Sequence, residues 1–110
     1  MSERGLVEKR TFTYSEASAL LPEVRQITEQ AYQRVEELSA GGAAGDARVE
    51  IEAVVDTWAR ELAARGAEIK GLWLVDFDNG SGYYCWRHPE PGLRYYHSYE
   101  DGFRGRVPIQ

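Results

Sequence analysis

Apolar side chains recur at intervals of three and four through the first half of this chain and alternate through the second. Residues 1–11 are polar and mixed in charge and read as a flexible lead-in. From residue 12 onward a single domain is expected, to residue 110. Leu20, Val24, Ile27, Ala31, Val35 and Leu38 fall on one helical face, predicting a helix over about 14–39. Thr13 and Glu16 have the spacing of a capping box at its start. Pro22 lacks an amide and crowds the carbonyl four residues earlier, so a short first turn followed by a kink is expected.

Gly41 to Gly45 interrupts the pattern, and Asp46 offers a carboxylate to cap a second helix over about 47–65. Ile51, Val54, Val55, Trp58 and Leu62 form its apolar face and Gly66 its stop. The glycine-rich loop lacks both a preceding strand and a following Gly-Lys-Ser/Thr, which excludes a phosphate-binding loop. Two helices joined so briefly pack antiparallel. Their charged positions, Glu29, Gln33, Glu36, Glu37, Arg48, Glu52 and Arg60, read as a solvated surface.

After Lys70 the period becomes two, predicting strands over about 70–78, 82–88 and 93–99. Asn79-Gly80 is a hairpin signal, and His88 to Gly92 supplies the second turn. The expected fold is α+β, an antiparallel helical hairpin packed on a small three-stranded antiparallel β-sheet. A two-residue turn at Asn79-Gly80 would set Asp76 opposite Tyr83 and Leu74 opposite Cys85. A five-residue second turn would set Tyr95 opposite Cys85 and His97 opposite Tyr83. One face then carries Trp73, Val75, Phe77, Tyr84 and Trp86, and the other Leu72, Leu74, Asp76, Tyr83, Cys85 and Arg87. Both are largely apolar, whereas a helical hairpin covers one. A second copy of the chain is the expected cover for the other, giving a homodimer through the aromatic sheet face. The alternative cover is the chain's own C-terminal tail.

Composition narrows the function classes. A net charge of −5 argues against nucleic acid or anionic lipid as a partner recognised by bulk charge. The single cysteine, Cys85, cannot close an internal disulfide, and no apolar run approaches membrane-spanning length, so a cytoplasmic protein is expected. The stretch from Gly71 to Arg106 holds nine of the thirteen aromatic residues and both histidines, which makes it the place to seek a site.

Three residues there can ligate a transition metal: Asp76, Cys85 and His97. His97 against Asp76 is also the pairing of a general base with its orienting carboxylate. Tyr83 and Tyr95 would flank them. No pair of cysteines, His-x-x-x-His helix or Gly-x-Ser-x-Gly elbow accompanies the set, and a buried Cys85 with a structural His97 explains the same residues. His88, beside Pro89 in a turn, is expected at the surface. Arg87, Arg104 and Arg106 are candidates for anion or partner contacts, with Glu100 and Asp101 as alternative partners for the last two.

Four segments, TFTYSEASALLPEVRQI, IKGLWLVDFD, YYCWRHPEP and YYHSYEDGFRGRVPI, together resemble the bacterial domain of unknown function 2203 family over about Phe12 to Ile109. That resemblance implies no established activity. It matches Leu21-Pro22, Lys70-Gly71, Val75-Asp76-Phe77, Cys85-Trp86-Arg87, Glu90, His97, Gly102-Phe103 and Arg106 to the recurring motif, adding Glu90 to the candidate set. Pro89, Tyr96 and Ser98 depart from it; similar sequences carry an acidic residue where Ser98 stands, so one candidate ligand is lost. Two readings stand: a small self-associating or protein-interaction domain without established catalysis, or a metal-binding or metal-dependent enzyme using the Asp/Cys/His cluster.

Overall fold

The structure, a computed structural model, describes residues 10–41 and 45–109. Helix α1 spans Tyr14–Ala40 and α2 spans Gly45–Ala64. Among the described residues the strands are β1 (Glu68–Gly71), β2 (Leu74–Asp78), β3 (Gly82–Arg87), β4 (Tyr95–Ser98) and β5 (Val107–Pro108), with a 3-10 turn at Phe103–Gly105 before β5. They form one antiparallel sheet in chain order β1-β2-β3-β4-β5. The fold is therefore α+β as expected, but with five strands instead of three. No helix of the described residues is long and apolar enough to cross a membrane.

The capping box is present: Glu16 N–H donates to Thr13 Oγ1 at 3.1 Å and Thr13 N–H to Glu16 Oε1 at 2.9 Å. It fixes where α1 begins. The helix assignment then continues through Pro22, so the first turn and the rest belong to one helix from Tyr14 to Ala40. Its fully buried face is Ala17, Leu21, Val24 and Thr28, with Leu20, Ile27 and Ala31 flanking it. The glycine-rich loop and most of the lead-in lie outside the described residues. Helix α2 begins at Gly45, so Asp46 falls within its first turn and not at its cap.

Trp58 and Leu62 from α2 meet Val75, Phe77 and Trp86 of the sheet in one core, closed at the edges by Phe12 and Leu93. Burial of each of these large side chains contributes about 1.5–3 kcal/mol.

The expected strand over 70–78 divides because Leu72 and Trp73 turn the chain back, pairing β1 with β2. Trp73 has a φ of 64°, a left-handed conformation costing about 1–2 kcal/mol in an L-residue. Its ring leaves the sheet to pack edge-on against Trp58 at 4.9 Å and Tyr32 at 5.8 Å, and this burial offsets the strain. The fifth strand comes from the tail, where Val107 and Pro108 pair with Tyr96 and Tyr95.

The β2–β3 register differs from the expected one by a step of two. Asn79 N–H bonds the Gly82 carbonyl, so Gly80 and Ser81 form the centre of the turn, Gly80 at a φ of 97°. Asp76 thus faces Cys85 and Asp78 faces Tyr83. A shift of two leaves the side chains of β2 and β3 on their expected faces. Between β3 and β4 the register is the expected one, with Tyr83 opposite His97 and Cys85 opposite Tyr95.

Val75, Phe77, Tyr84 and Trp86 face the helices. Over the opposite face the chain's own C-terminal segment returns, with the Arg106 guanidinium stacked 4.0 Å from the Tyr95 ring centre and 4.2 Å from that of Phe103. Cys85, beneath it, has no exposed surface.

Candidate metal centre

On that second face β2 supplies Asp76, β3 supplies Cys85 directly opposite, and β4 supplies His97 diagonally across β3. Alternation aims all three inward from one side of the sheet. One ligand atom from each lies within 4.8 Å of the others. All three residues are buried, at 1%, 0% and 5% exposure.

Both ring nitrogens of His97 face oxygens. Nδ1 lies 2.9 Å from the Ser98 carbonyl and Nε2 lies 2.8 Å from Asp76 Oδ2. A carbonyl only accepts, so Nδ1 carries a hydrogen and donates it. Nε2 then confronts a carboxylate oxygen, and the pair needs a proton or another cation between them. The second carboxylate oxygen, Asp76 Oδ1, is buried without a hydrogen-bond partner. The Cys85 thiol lies beside the carboxylate but completes no hydrogen bond to Oδ1. An unsatisfied buried acceptor costs about 1–3 kcal/mol, more if charged.

The electrostatics follow from burial. Desolvation raises the Asp76 carboxyl above its ordinary value, against the opposing pull of His97, Cys85 and Lys70. Burial and then the Asp76 charge push the Cys85 thiol up to about 12, although Arg106 works the other way. Burial thus works against the anionic forms of Asp76 and Cys85 that a metal would take.

The remaining expected site residues stand around this core, not in it. Tyr83 donates its hydroxyl to Glu68 Oε1 at 3.1 Å, and Lys70 Nζ sits 4.1 Å above its ring. Tyr83 is wall, not ligand. Asp76 and His97 form part of the lining of a cleft of about 380 Å³ whose other walls include Lys70, Leu74, Tyr99 and Phe103. Glu90 does not join the cluster; it pairs through both oxygens with Arg106, and Oε1 also accepts from the Arg87 amide at 2.9 Å.

Arg106 is thus committed to Glu90 instead of to Glu100, Asp101 or a free anion. Arg104 stays exposed, and Arg87 lies over the Phe103 ring at 5.6 Å, so the three arginines do not converge on one anion. His88 is not at the surface: its side chain is 10% exposed, packed 4.6 Å from the Tyr32 ring and 3.5 Å from Glu29. Ser98 enters the site through its backbone carbonyl, which no side-chain pattern signals, and Lys70 enters because β1 folds back beside β2.

A family model described as "Uncharacterized conserved protein (DUF2203)" matches residues 10–109. Neither the curated proteins nor the solved structures include a significant match.

Proposed function

We propose that this chain, which belongs to the DUF2203 family, binds a divalent transition metal through His97 Nε2, Asp76 and Cys85 Sγ. The observation that carries the reading is the buried, unpartnered Asp76 Oδ1 beside a histidine whose Nδ1 is already tied to a carbonyl. A backbone carbonyl on one imidazole nitrogen is the arrangement that orients the other toward a metal.

The spacing suits such an ion after small shifts. Ligand atoms at about 2.1 Å from a tetrahedral metal lie about 3.4 Å apart. The Nε2 to Oδ2 distance of 2.8 Å has to open and the widest separation, within 4.8 Å, has to close. Thiolate, imidazole and carboxylate together suit Zn²⁺ or a neighbouring first-row ion better than Mg²⁺ or Ca²⁺. Three protein ligands leave a fourth position toward the cleft, the stoichiometry of a centre that takes water or a small molecule. A metal-free His97–Asp76 base is the weaker reading, because a general base needs one nitrogen free for its substrate and both are engaged.

The test is elemental analysis of native, tag-free protein on a column fraction whose mass is measured by light scattering. About one equivalent of metal that vanishes in His97→Ala supports the reading. Metal-free protein that also fails to take up Zn²⁺ or Co²⁺ on titration overturns it and leaves self-association, read from the same fraction, as the function to pursue.

A further inference from the structure

Resting on that metal reading, we infer that Arg106 is the positioning residue of the centre, donating to the Cys85 sulfur and holding it as a metal ligand. Its Nη1 lies 3.9 Å from Cys85 Sγ, at the outer edge of an N–H···S contact. The guanidinium reaches that point from the opposite end of the sequence motif and is fixed there from several sides. Glu90 grips it through both carboxylate oxygens, while the guanidinium's central carbon lies 4.0 Å from the Tyr95 ring centre and 4.2 Å from that of Phe103. A planar fork held through both terminal nitrogens and packed against two rings has little freedom left to lose.

The charges explain why a cation belongs there. A bound divalent metal is neutralised by one thiolate and one carboxylate, with His97 neutral. Metal–sulfur bonds leave negative charge on sulfur, and in a site excluded from water that charge needs a donor. Arg106 supplies one, and Glu90 cancels the extra positive charge. Without Arg106, the Glu90 carboxylate, itself only 22% exposed, would lose its charged partner. Glu90 thus acts on the metal through Arg106, which accounts for a carboxylate near the site that does not reach the ligand atoms.

The experiment uses full-length protein loaded with Co²⁺, whose sulfur-to-cobalt absorption band reports on Cys85 itself. Arg106→Met is expected to move that band and to lower Co²⁺ affinity about ten- to a hundredfold, the usual cost of losing such an outer partner. Arg106→Lys, which keeps the charge but not the fork, is expected to fall between Met and wild type. A change in stability alone would not move the band. If Arg106→Met does not fold, Glu90→Gln carries the test, because releasing the guanidinium should shift the band in the same direction. Wild-type band position and affinity in a folded Arg106 or Glu90 variant overturn the inference while leaving the metal centre standing. Wild-type protein with no cobalt–sulfur band overturns both.

Discussion

His97 and Asp76 face each other Nε2 to Oδ2 at 2.8 Å, on a sheet face where neither is more than 5% exposed. Burial disfavours the Asp76 charge in the folded chain and raises its carboxyl above the ordinary value. The sign follows: the metal-free fold is favoured while that group keeps its proton and loses stability as pH rises through the folded-state value. Asp76→Asn removes the charge and can still donate to Nε2. It should raise the melting temperature of metal-free protein at neutral pH, flatten its dependence on pH in the acid range, and abolish metal uptake. Calorimetry of the two apo proteins across pH, with a Zn²⁺ titration, measures all three; an apo Asp76→Asn that melts below wild type refutes the account.

Cys85 makes an independent prediction in alkali. Its thiol is pushed up to about 12, against an ordinary value near 9. Between those values the unfolded chain has released the proton and the folded chain still holds it, so metal-free stability falls by about 1.4 kcal/mol for each pH unit. Cys85→Ala should lack that component. Urea unfolding of both proteins at pH 9 and pH 10 gives the difference in slope, and equal slopes would place the thiol nearer its ordinary value. The same burial should leave the thiol unmodified by an alkylating reagent at neutral pH until denaturant is added.

The arrangement of these groups was partly legible in the sequence. Alternation, with a two-residue first turn and a five-residue second turn, put Asp76, Cys85 and His97 on one face, and that survived a β2–β3 register two residues away from expectation, because only an odd shift exchanges faces. The turn at Leu72-Trp73 was not legible, since neither residue is a turn former and its stability comes from the ring packing of Trp73 on the helices. Strand β5 is two residues long and includes Pro108, so no period could reveal it. Nor could sequence separate Glu90 as a ligand from Glu90 as the partner of Arg106. That distinction depends on where a tail sixteen residues away returns to the sheet.

Across the helical hairpin Trp58 donates its indole N–H to Thr28 Oγ1 at 2.8 Å, with both residues buried. Thr28→Val keeps the shape and removes the acceptor, leaving a buried donor unpaired. The expected loss is about 1–3 kcal/mol, seen as a lower urea midpoint at unchanged slope. Thr28→Ser retains the oxygen and should lose less. Since the hairpin lies on the other side of the sheet from Asp76, Cys85 and His97, metal stoichiometry should be unaffected in either variant.

Gly82 couples turn chemistry to the candidate centre more directly. It lies opposite Ser98, next to His97, and a Cβ placed on it would come within 2.6 Å of the His97 carbonyl oxygen and collide with the Tyr96 hydroxyl. A side-chain hydroxyl can move; a ladder carbonyl can do so only by displacing β4. Gly82→Ala should therefore cost about 1–3 kcal/mol through overpacking and also shift His97 relative to Asp76, lowering metal affinity. Gly80→Ala, two residues earlier, has nothing within 4 Å and pays only for its φ of 97°, so it should lose stability without losing metal. Comparing Zn²⁺ affinity of the two variants at a temperature where both are folded separates the effects. Equal affinities would mean that β4 absorbs the clash without moving the imidazole, and that the close approach at Gly82 serves the sheet alone.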